Sequence, residues 1–135
     1  MIKPSELMIN DWVNIDDHPY QIAAVHNSKI GYHIYPNKLH WARAPKLGAI
    51  AISTDYFSCF RKRFASNLTS CIYLYPGFNK FGLVANNDGS VDIIRLFYNS
   101  NGTIATTQTH ATIRYIHELQ HFFTFYSIKL DISIT

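Results

Sequence analysis

The sequence is poor in charged residues and has no paired cysteines. Charged residues make up 16% of the 135 residues and hydrophobic residues 47%, which is enough apolar material for a packed core and excludes a disordered chain. Cys59 and Cys71 lack the C-x-x-C spacing of a metal site. A formal net charge of +3 is too small to imply nucleic-acid binding by itself.

Long apolar runs are also missing. The N-terminus has no apolar region of the signal-peptide type, and no stretch approaches the roughly 18 residues that a membrane span needs. There is no Gly-rich phosphate loop and no G-x-S-x-G nucleophile motif. The sequence therefore predicts a cytoplasmic protein with reduced thiols, no membrane partner and no cofactor.

Aromatic and β-branched residues are abundant instead, which favours strands. Residues 12–35 read as three short strands separated by tight turns, as at the start of a small SH3-like barrel. Trp12 opens the first of these strands and is predicted to be buried. Residues 36–48 carry two prolines and a glycine, which predicts a surface loop followed by a short strand at 49–52.

The second half of the chain continues the β-rich pattern. Phe57, Phe60 and Phe64 have helical spacing and predict a short middle helix that begins near Ser53. Strands are predicted at 71–75, 81–85, 91–98 and 103–107, a helix at 112–126, and a closing strand at the C-terminus. Ile116, Leu119 and Phe123 would lay the helix on the sheet.

These elements predict an α+β fold: a β-rich single domain over residues 1–135, with an SH3-like N-terminal meander and further antiparallel strands. A short middle helix and a C-terminal helix packed on the sheet complete the prediction. If the chain has subdomains, we expect the meander at 1–35 and a sheet with the C-terminal helix at 49–135.

The C-terminal helix contains the letters H-E-x-x-H. In zinc peptidases the two histidines share one helix face and bind the metal, and the glutamate is the general base. His117, His121 and Glu118 would have these roles here. This alternative predicts a zinc-dependent hydrolase.

Three observations argue against that alternative. A third ligand is needed, and the 14 residues after His121 offer only Asp131. Helical periodicity puts His117 and His121 on the solvent side, opposite the apolar face. Arg114 lies four residues before Glu118 and is expected to pair with it. We therefore predict no metal and no catalytic residue.

Both ends of the chain resemble a family of short, uncharacterised proteins of gut Bacteroidetes and their phages and mobile elements. The segments "ELMINDWV" and "IRYIHELQHFF" are similar to the patterns "ELRIGNWV" and "KYVHELQNLYF" of that family, over roughly 40 residues. The chain has His121 where the pattern has Asn, and Asp11 where the pattern has a turn residue of the glycine type. The resemblance implies an accessory protein without an established activity.

A basic segment with interleaved aromatic residues spans 38–63. Exposed aromatic and basic side chains can anchor a protein partner, or bind single-stranded nucleic acid through stacking and phosphate contacts. We expect a non-enzymatic interaction protein with an unknown protein partner, and keep nucleic-acid binding as the alternative. The candidate binding residues are Lys38, His40, Trp41, Arg43, Lys46, Arg61, Lys62 and Arg63.

Overall fold

A computed structural model of the protein describes residues 2–34, 38–63, 71–130, 132 and 134. The chain divides into two compact units. The first comprises Met1–Ala51, Tyr115–Leu130 and Ile134–Thr135, and the second comprises Ile52–Arg114 and Asp131–Ser133. The prediction of a single domain over 1–135 stays a prediction. No helix in the described part of the chain has the length and apolar character needed to cross a membrane.

The first unit contains a five-stranded antiparallel sheet. Its strands are β1 Trp12–Ile15, β2 His18–His26, β3 Lys29–Ile34, β4 Lys38–Arg43 and β5 Leu47–Ala49, in the order β4-β3-β2-β1-β5. The turns between β1, β2 and β3 use residues with positive φ at Asp16, Asp17 and Asn27. Asp and Asn tolerate this conformation better than other residues with a side chain, which permits the tight connections.

The core of this unit follows from the alternation of β1. Val13 and Ile15 are almost fully buried, and they join Ile22 and Ile30 of the next two strands. Strand geometry then directs Trp12 to the opposite face, where it is half-buried. The predicted burial of Trp12 in the barrel core was therefore wrong.

The second unit contains another five-stranded antiparallel sheet. Its strands are β6 Arg61–Arg63, β7 Ile72–Tyr75, β8 Phe78–Ala85, β9 Val91–Tyr98 and β10 Ile104–Ile113, in the order β10-β9-β8-β7-β6. Its core includes Ile72, Leu74, Ile94 and Leu96. The β-rich prediction with an N-terminal meander is confirmed. Within the described residues neither sheet closes into a barrel, because the two outer strands of each sheet do not pair.

The region of the predicted middle helix folds differently. A single 3-10 turn, Thr54–Tyr56, follows Ser53, whose hydroxyl accepts a hydrogen bond from the backbone N–H of Asp55. The chain then enters β6. Phe57 and Phe60 are buried as expected, but they pack edge-on against Tyr73 and Tyr75 of β7 at centroid distances of 5.2 and 5.4 Å. Phe64 lies outside the described residues.

The predicted surface loop at 36–48 contains a strand. Residues 38–43 form β4, which alternates in exposure from Leu39 onward and pairs along its whole length with β3. Pro36 lies outside the described residues, and Pro45 follows the strand in a 3-10 turn, Ala44–Lys46. Pro45 therefore lies outside β4 and takes no ladder hydrogen bond away from it.

The C-terminal helix, α1, spans Ile116–Phe125 and belongs to the first unit, where it contacts β1. The predicted subdomain division had grouped it with residues 49–135. The helix begins later than predicted because β10 extends to Ile113. Ile116, Leu119 and Phe123 are at most 3% exposed, which confirms the predicted docking face.

The predicted closing strand is not seen in the described residues beyond α1. Leu130, Ile132 and Ile134 are buried, but none belongs to a strand. Residues 131, 133 and 135 lie outside the described residues. The period-two pattern therefore indicated burial correctly at the described positions, and the predicted strand lies partly outside the described residues.

Gly82 of β8 provides a test of the second core. A Cβ at this position would lie 2.5 Å from Cγ2 of Ile72, a stiff β-branched side chain that is fully buried. We expect Gly82→Ala to lower the free energy of unfolding by about 1–3 kcal/mol, as overpacked cores do. Urea unfolding followed by circular dichroism measures this. Gly48→Ala is the control, because its Cβ would meet only Asn14 at an ordinary 3.7 Å. Equal unfolding midpoints for the two variants would contradict the packing described.

Candidate functional site

The segment that precedes β1 is bound to α1 by the side chain of Gln120. The amide oxygen of Gln120 accepts a hydrogen bond from the backbone N–H of Trp12 at 2.8 Å, and its amide nitrogen donates to the carbonyl of Asn10 at 2.7 Å. Gln120 is 6% exposed. One buried amide therefore bonds to the two backbone groups that flank Asp11, and the carbonyl of Asn10 also accepts a hydrogen bond from the side chain of Gln21 at 3.0 Å.

Asp11 lies between these two backbone groups and is 2% exposed. Its Oδ2 accepts a hydrogen bond from the backbone N–H of Met8 at 2.9 Å and lies 2.5 Å from Nε2 of His121. Burial raises the pKa of the Asp11 carboxyl, although the bonds from Met8 and His121 oppose that effect. The carboxyl is stabilised here by its partners, because a buried charge without them is costly.

His117 lies one turn before His121 on the same helix and is 8% exposed. Its Nδ1 is buried and has no hydrogen-bond partner among the described residues. Desolvation lowers the pKa of His117, while the negative charges of Asp11, Glu118 and Glu6 act in the opposite direction. The ring stacks on Tyr115 at a centroid distance of 6.0 Å and meets the ring of His121 edge-on at 5.7 Å.

These contacts correct one prediction about the H-E-x-x-H segment, the solvent exposure of its two histidines. His117 is buried and His121 is partly buried, so neither lies on a solvated face. Arg114 pairs with Asp88 at 3.2 Å, and Glu118 accepts a hydrogen bond from the backbone N–H of Tyr115 at 3.0 Å. The expected pairing of Arg114 with Glu118 stays a prediction. The carboxylate thus caps the helix, where it satisfies a free N–H and complements the helix dipole.

The geometry does not assemble a zinc peptidase site. The structure contains, in its described residues, no group of three or more His, Cys, Asp or Glu side chains that could hold a metal ion. Nε2 of His121, the atom that would face a metal, is bound to Asp11. The prediction that no metal binds at His117 and His121 stays a prediction.

The contact between Asp11 and His121 bears on the family resemblance. Read letter by letter, the Gly of the pattern "ELRIGNWV" falls on Asn10, whose φ is +79°, and its Asn falls on Asp11. The glycine-type position is therefore Asn10, in the left-handed conformation that Gly and Asn adopt most readily. Asp11 and His121, where the pattern has Asn in both places, are in contact in this chain.

The basic candidate residues lie on elements of both units. Lys38, His40, Trp41 and Arg43 lie on β4, an edge strand of the first sheet. Lys46 follows in the adjacent 3-10 turn and lies 3.8 Å from Asp16 in an exposed ion pair. Arg61, Lys62 and Arg63 form β6, an edge strand of the sheet in the other unit.

The β6 residues have local partners within the second unit. Arg63 donates a hydrogen bond to the carbonyl of Gly102 at 2.9 Å, and the ammonium of Lys62 lies 5.8 Å from the centre of the Tyr73 ring. Charged side chains on an edge strand also protect it from pairing with other chains. These contacts give Arg63 and Lys62 structural roles that need no ligand.

The residues around Gln120 border an open cavity of about 300 Å³, lined among others by Met8, Ile9, Asp11, Gln120 and Lys129. Nothing in the sequence marks Asp11 and Gln120 as important residues. A single Asp after a turn and a Gln within a helix are ordinary in sequence, and only the contact across 110 residues between Asn10 and Gln120 distinguishes them.

Comparison with known proteins found no protein family, no curated protein and no solved structure that matches the chain.

Gln120 should be important for stability. Gln120→Ala removes the hydrogen bond that the N–H of Trp12 donates to this side chain and one of the two side-chain hydrogen bonds to the carbonyl of Asn10, and we expect the free energy of unfolding to fall by about 1–3 kcal/mol. Urea unfolding measures the loss. Gln108→Ala, at an exposed position on β10, is the matched control and should change stability by less than about 0.5 kcal/mol. A loss no larger for Gln120→Ala than for Gln108→Ala would contradict the role of the amide.

His117 should make stability depend on pH. Its pKa is lowered in the folded protein from the ordinary value of 6.5, so the unfolded chain binds more protons below that pH. The free energy of unfolding should therefore fall as the pH decreases from 6.5 towards the lowered pKa, with a slope of at most about 1.4 kcal/mol per pH unit. Urea unfolding of wild type and His117→Gln between about pH 5.5 and 8 isolates this contribution. The variant should have the shallower slope, and parallel curves would contradict the burial of the imidazole.

Proposed function

We propose that the chain is a non-enzymatic interaction protein that binds an extended, acidic segment of a protein partner along β4. The resemblance at both chain ends to short proteins of gut Bacteroidetes, phages and mobile elements supports an accessory role. The observation that carries the proposal is the exposed Trp41 on the edge strand of the first sheet.

Trp41 is part of an apolar platform on the outer face of this sheet. Leu39 and Trp41 lie two residues apart on β4, so they share a face, and they are 41% and 46% exposed. Gly31 of β3 pairs with Trp41 of β4. A Cβ at Gly31 would lie 3.3 Å from both the Trp41 ring and Leu39. The two side chains therefore lie over the glycine. We name Gly31, Leu39 and Trp41, with Ala24 beside them on β2, the Trp41 platform.

The backbone of β4 supplies the second element of a binding surface. Among the described strands β4 pairs with β3 alone, so one of its edges is available to an added strand. Extended peptides bind such edges through main-chain hydrogen bonds, and pockets or platforms for alternate side chains give specificity. A large aromatic residue beside an available edge is the kind of anchor on which interface energy concentrates.

Charge indicates the chemistry of the partner. Lys38 and Arg43 are exposed at the two ends of β4, and the strand carries no acidic residue. Lysine and arginine on an edge strand also discourage aggregation. That protective role does not explain Leu39 and Trp41, because exposed apolar residues promote edge pairing. An acidic extended segment complements both the charges and the platform.

Binding to β4 can be tested with peptides selected from a random display library on the immobilised wild-type protein. We expect the selected peptides to be rich in acidic and β-branched residues. Trp41→Ala should weaken the best peptide about 30-fold, the effect of losing an interface anchor of about 2 kcal/mol. Fluorescence anisotropy of the labelled peptide measures the affinity, and the melting temperature checks that the variant is folded.

The matched control is Phe125→Ala, which removes an exposed aromatic residue of the same unit that is not on β4. Its affinity for the peptide should equal that of wild type. A peptide that binds Trp41→Ala as tightly as wild type would contradict the proposal. A labelled single-stranded oligonucleotide serves as a further probe. If it binds at low salt, with Trp41 required and a steep loss of affinity as salt rises, nucleic-acid binding replaces the protein partner.

A further inference from the structure

Three consecutive cations of the second unit border one cavity. Arg61, Lys62 and Arg63 form β6, and all three line an open cavity of about 370 Å³. The end of β7 and the turn into β8, residues 74–77 and 79, line it as well. Among the described residues that line this cavity none is acidic, so it carries a concentration of positive charge.

The local contacts of these cations do not neutralise them. Arg63 bonds to the carbonyl of Gly102, and Lys62 lies over the ring of Tyr73, and both of these partners are neutral. In the part of the chain that the structure describes, none of the three cations forms an ion pair with a carboxylate. Residues 64–70, which follow β6, contain no Asp or Glu. Like charges on adjacent residues repel each other, so an anion held between them is stabilised.

The donors at the cavity match the oxygen atoms of a phosphate. A guanidinium presents a planar fork of N–H donors that binds phosphate bidentately, and an ammonium adds a point charge. Asn79 contributes a side-chain amide, and its backbone is held by the hydroxyl of Tyr98, which donates to the Asn79 carbonyl at 2.6 Å. Burial raises the pKa of Tyr98 and the charge of Arg63 opposes that rise, so Arg63 lies in the same neighbourhood.

Protection of the sheet edge explains the charges of β6 but not the cavity. Charged side chains that protect an edge strand need only face the solvent. The volume of the cavity instead lies within the range of small-molecule sites, about 300–1,000 Å³, and exceeds what a bare phosphate fills. Leu74 and Pro76 add apolar atoms to its lining. These dimensions fit a phosphate that is joined to a small organic group.

We propose that the cavity bordered by Arg61, Lys62, Arg63 and Asn79 binds a small organic phosphomonoester. A phosphomonoester carries a charge of about −1.5 to −2 at pH 7, which balances most of the charge of the three cations. The site belongs to the second unit, whereas the peptide binding proposed above uses β4 of the first unit. Either proposal can therefore fail without the other.

Titration of the full chain with phenyl phosphate tests the proposal, with the Nε–Hε NMR signals of the arginine side chains as the readout. We expect the signals of Arg61 and Arg63 to shift with a dissociation constant of about 0.1–1 mM at low salt, as for a ligand of roughly ten atoms. Phenyl sulfate has a similar shape but a single charge, and it should bind at least about threefold more weakly. Inorganic phosphate lacks the organic group and should also bind at least about threefold more weakly.

Variants of Arg61 separate a built site from general attraction. Arg61→Gln should weaken phenyl phosphate about three- to fivefold, as the loss of one partly exposed ion pair does. Arg61→Lys keeps the charge but not the fork, so its affinity should lie between those of Arg61→Gln and wild type. The matched control is Arg95→Gln, which removes an exposed cation of the same unit from β9, outside the lining of the cavity. It should bind as wild type does. The Arg63 signal reports binding in every variant, and the melting temperature checks that each is folded.

Four results would overturn the proposal. The first is the absence of shifts at Arg61 and Arg63 at about 10 mM phenyl phosphate, well above the expected dissociation constant. The second is an equal loss of affinity in Arg61→Gln and Arg95→Gln, because it would indicate attraction to a positive surface without a site. Tighter binding of inorganic phosphate than of phenyl phosphate would assign the cavity to the free ion. A single-stranded oligonucleotide that requires Arg61 and binds more tightly than phenyl phosphate would assign it to nucleic acid.

Discussion

The attachment of α1 to the segment before β1 is the constraint on which the first unit depends. Gln120 bonds to the backbone on both sides of Asp11, and His121 bonds to the carboxyl of Asp11. Asp11 and Gln120 are buried and His121 is partly buried, so each of these side chains needs its partner to avoid an uncompensated polar atom. The apolar face of the helix supplies burial, and these directional bonds fix which residues of the helix face which residues of the N-terminus.

This attachment also decides what the H-E-x-x-H letters mean. A zinc peptidase needs two free imidazoles and a free carboxylate around one open position. Here the imidazole of His121 bonds to Asp11, and the carboxylate of Glu118 caps the helix. His117 is the member of the segment whose buried nitrogen has no partner in the described residues. The five residues of this segment therefore attach the helix to the N-terminal segment, and His117 lines a cavity.

Edge strands determine how the basic residues are distributed. The sequence shows one basic segment over 38–63, but β4 and β6 lie at edges of different sheets. Lys62 and Arg63 have local partners, whereas Trp41 and Leu39 expose apolar surface beside an edge of β4. A charged residue on an edge strand protects the sheet from pairing with other chains. An exposed aromatic residue on an edge strand can contact a partner segment that pairs with that edge. This difference is the reason for assigning the interaction to β4.

The sequence by itself determined the β-rich class, most strand positions, the C-terminal helix and its docking residues Ile116, Leu119 and Phe123. These follow from hydrophobic periodicity and turn chemistry, which are local properties. The sequence did not determine the face of Trp12, the turn in place of the middle helix, or the strand between Pro36 and Pro45, because pairing partners decide those. Only the tertiary structure decided the partners of Asp11, Gln120 and His121. Those contacts join residues about 110 positions apart, and no local pattern in the chain encodes which distant polar groups will be buried together.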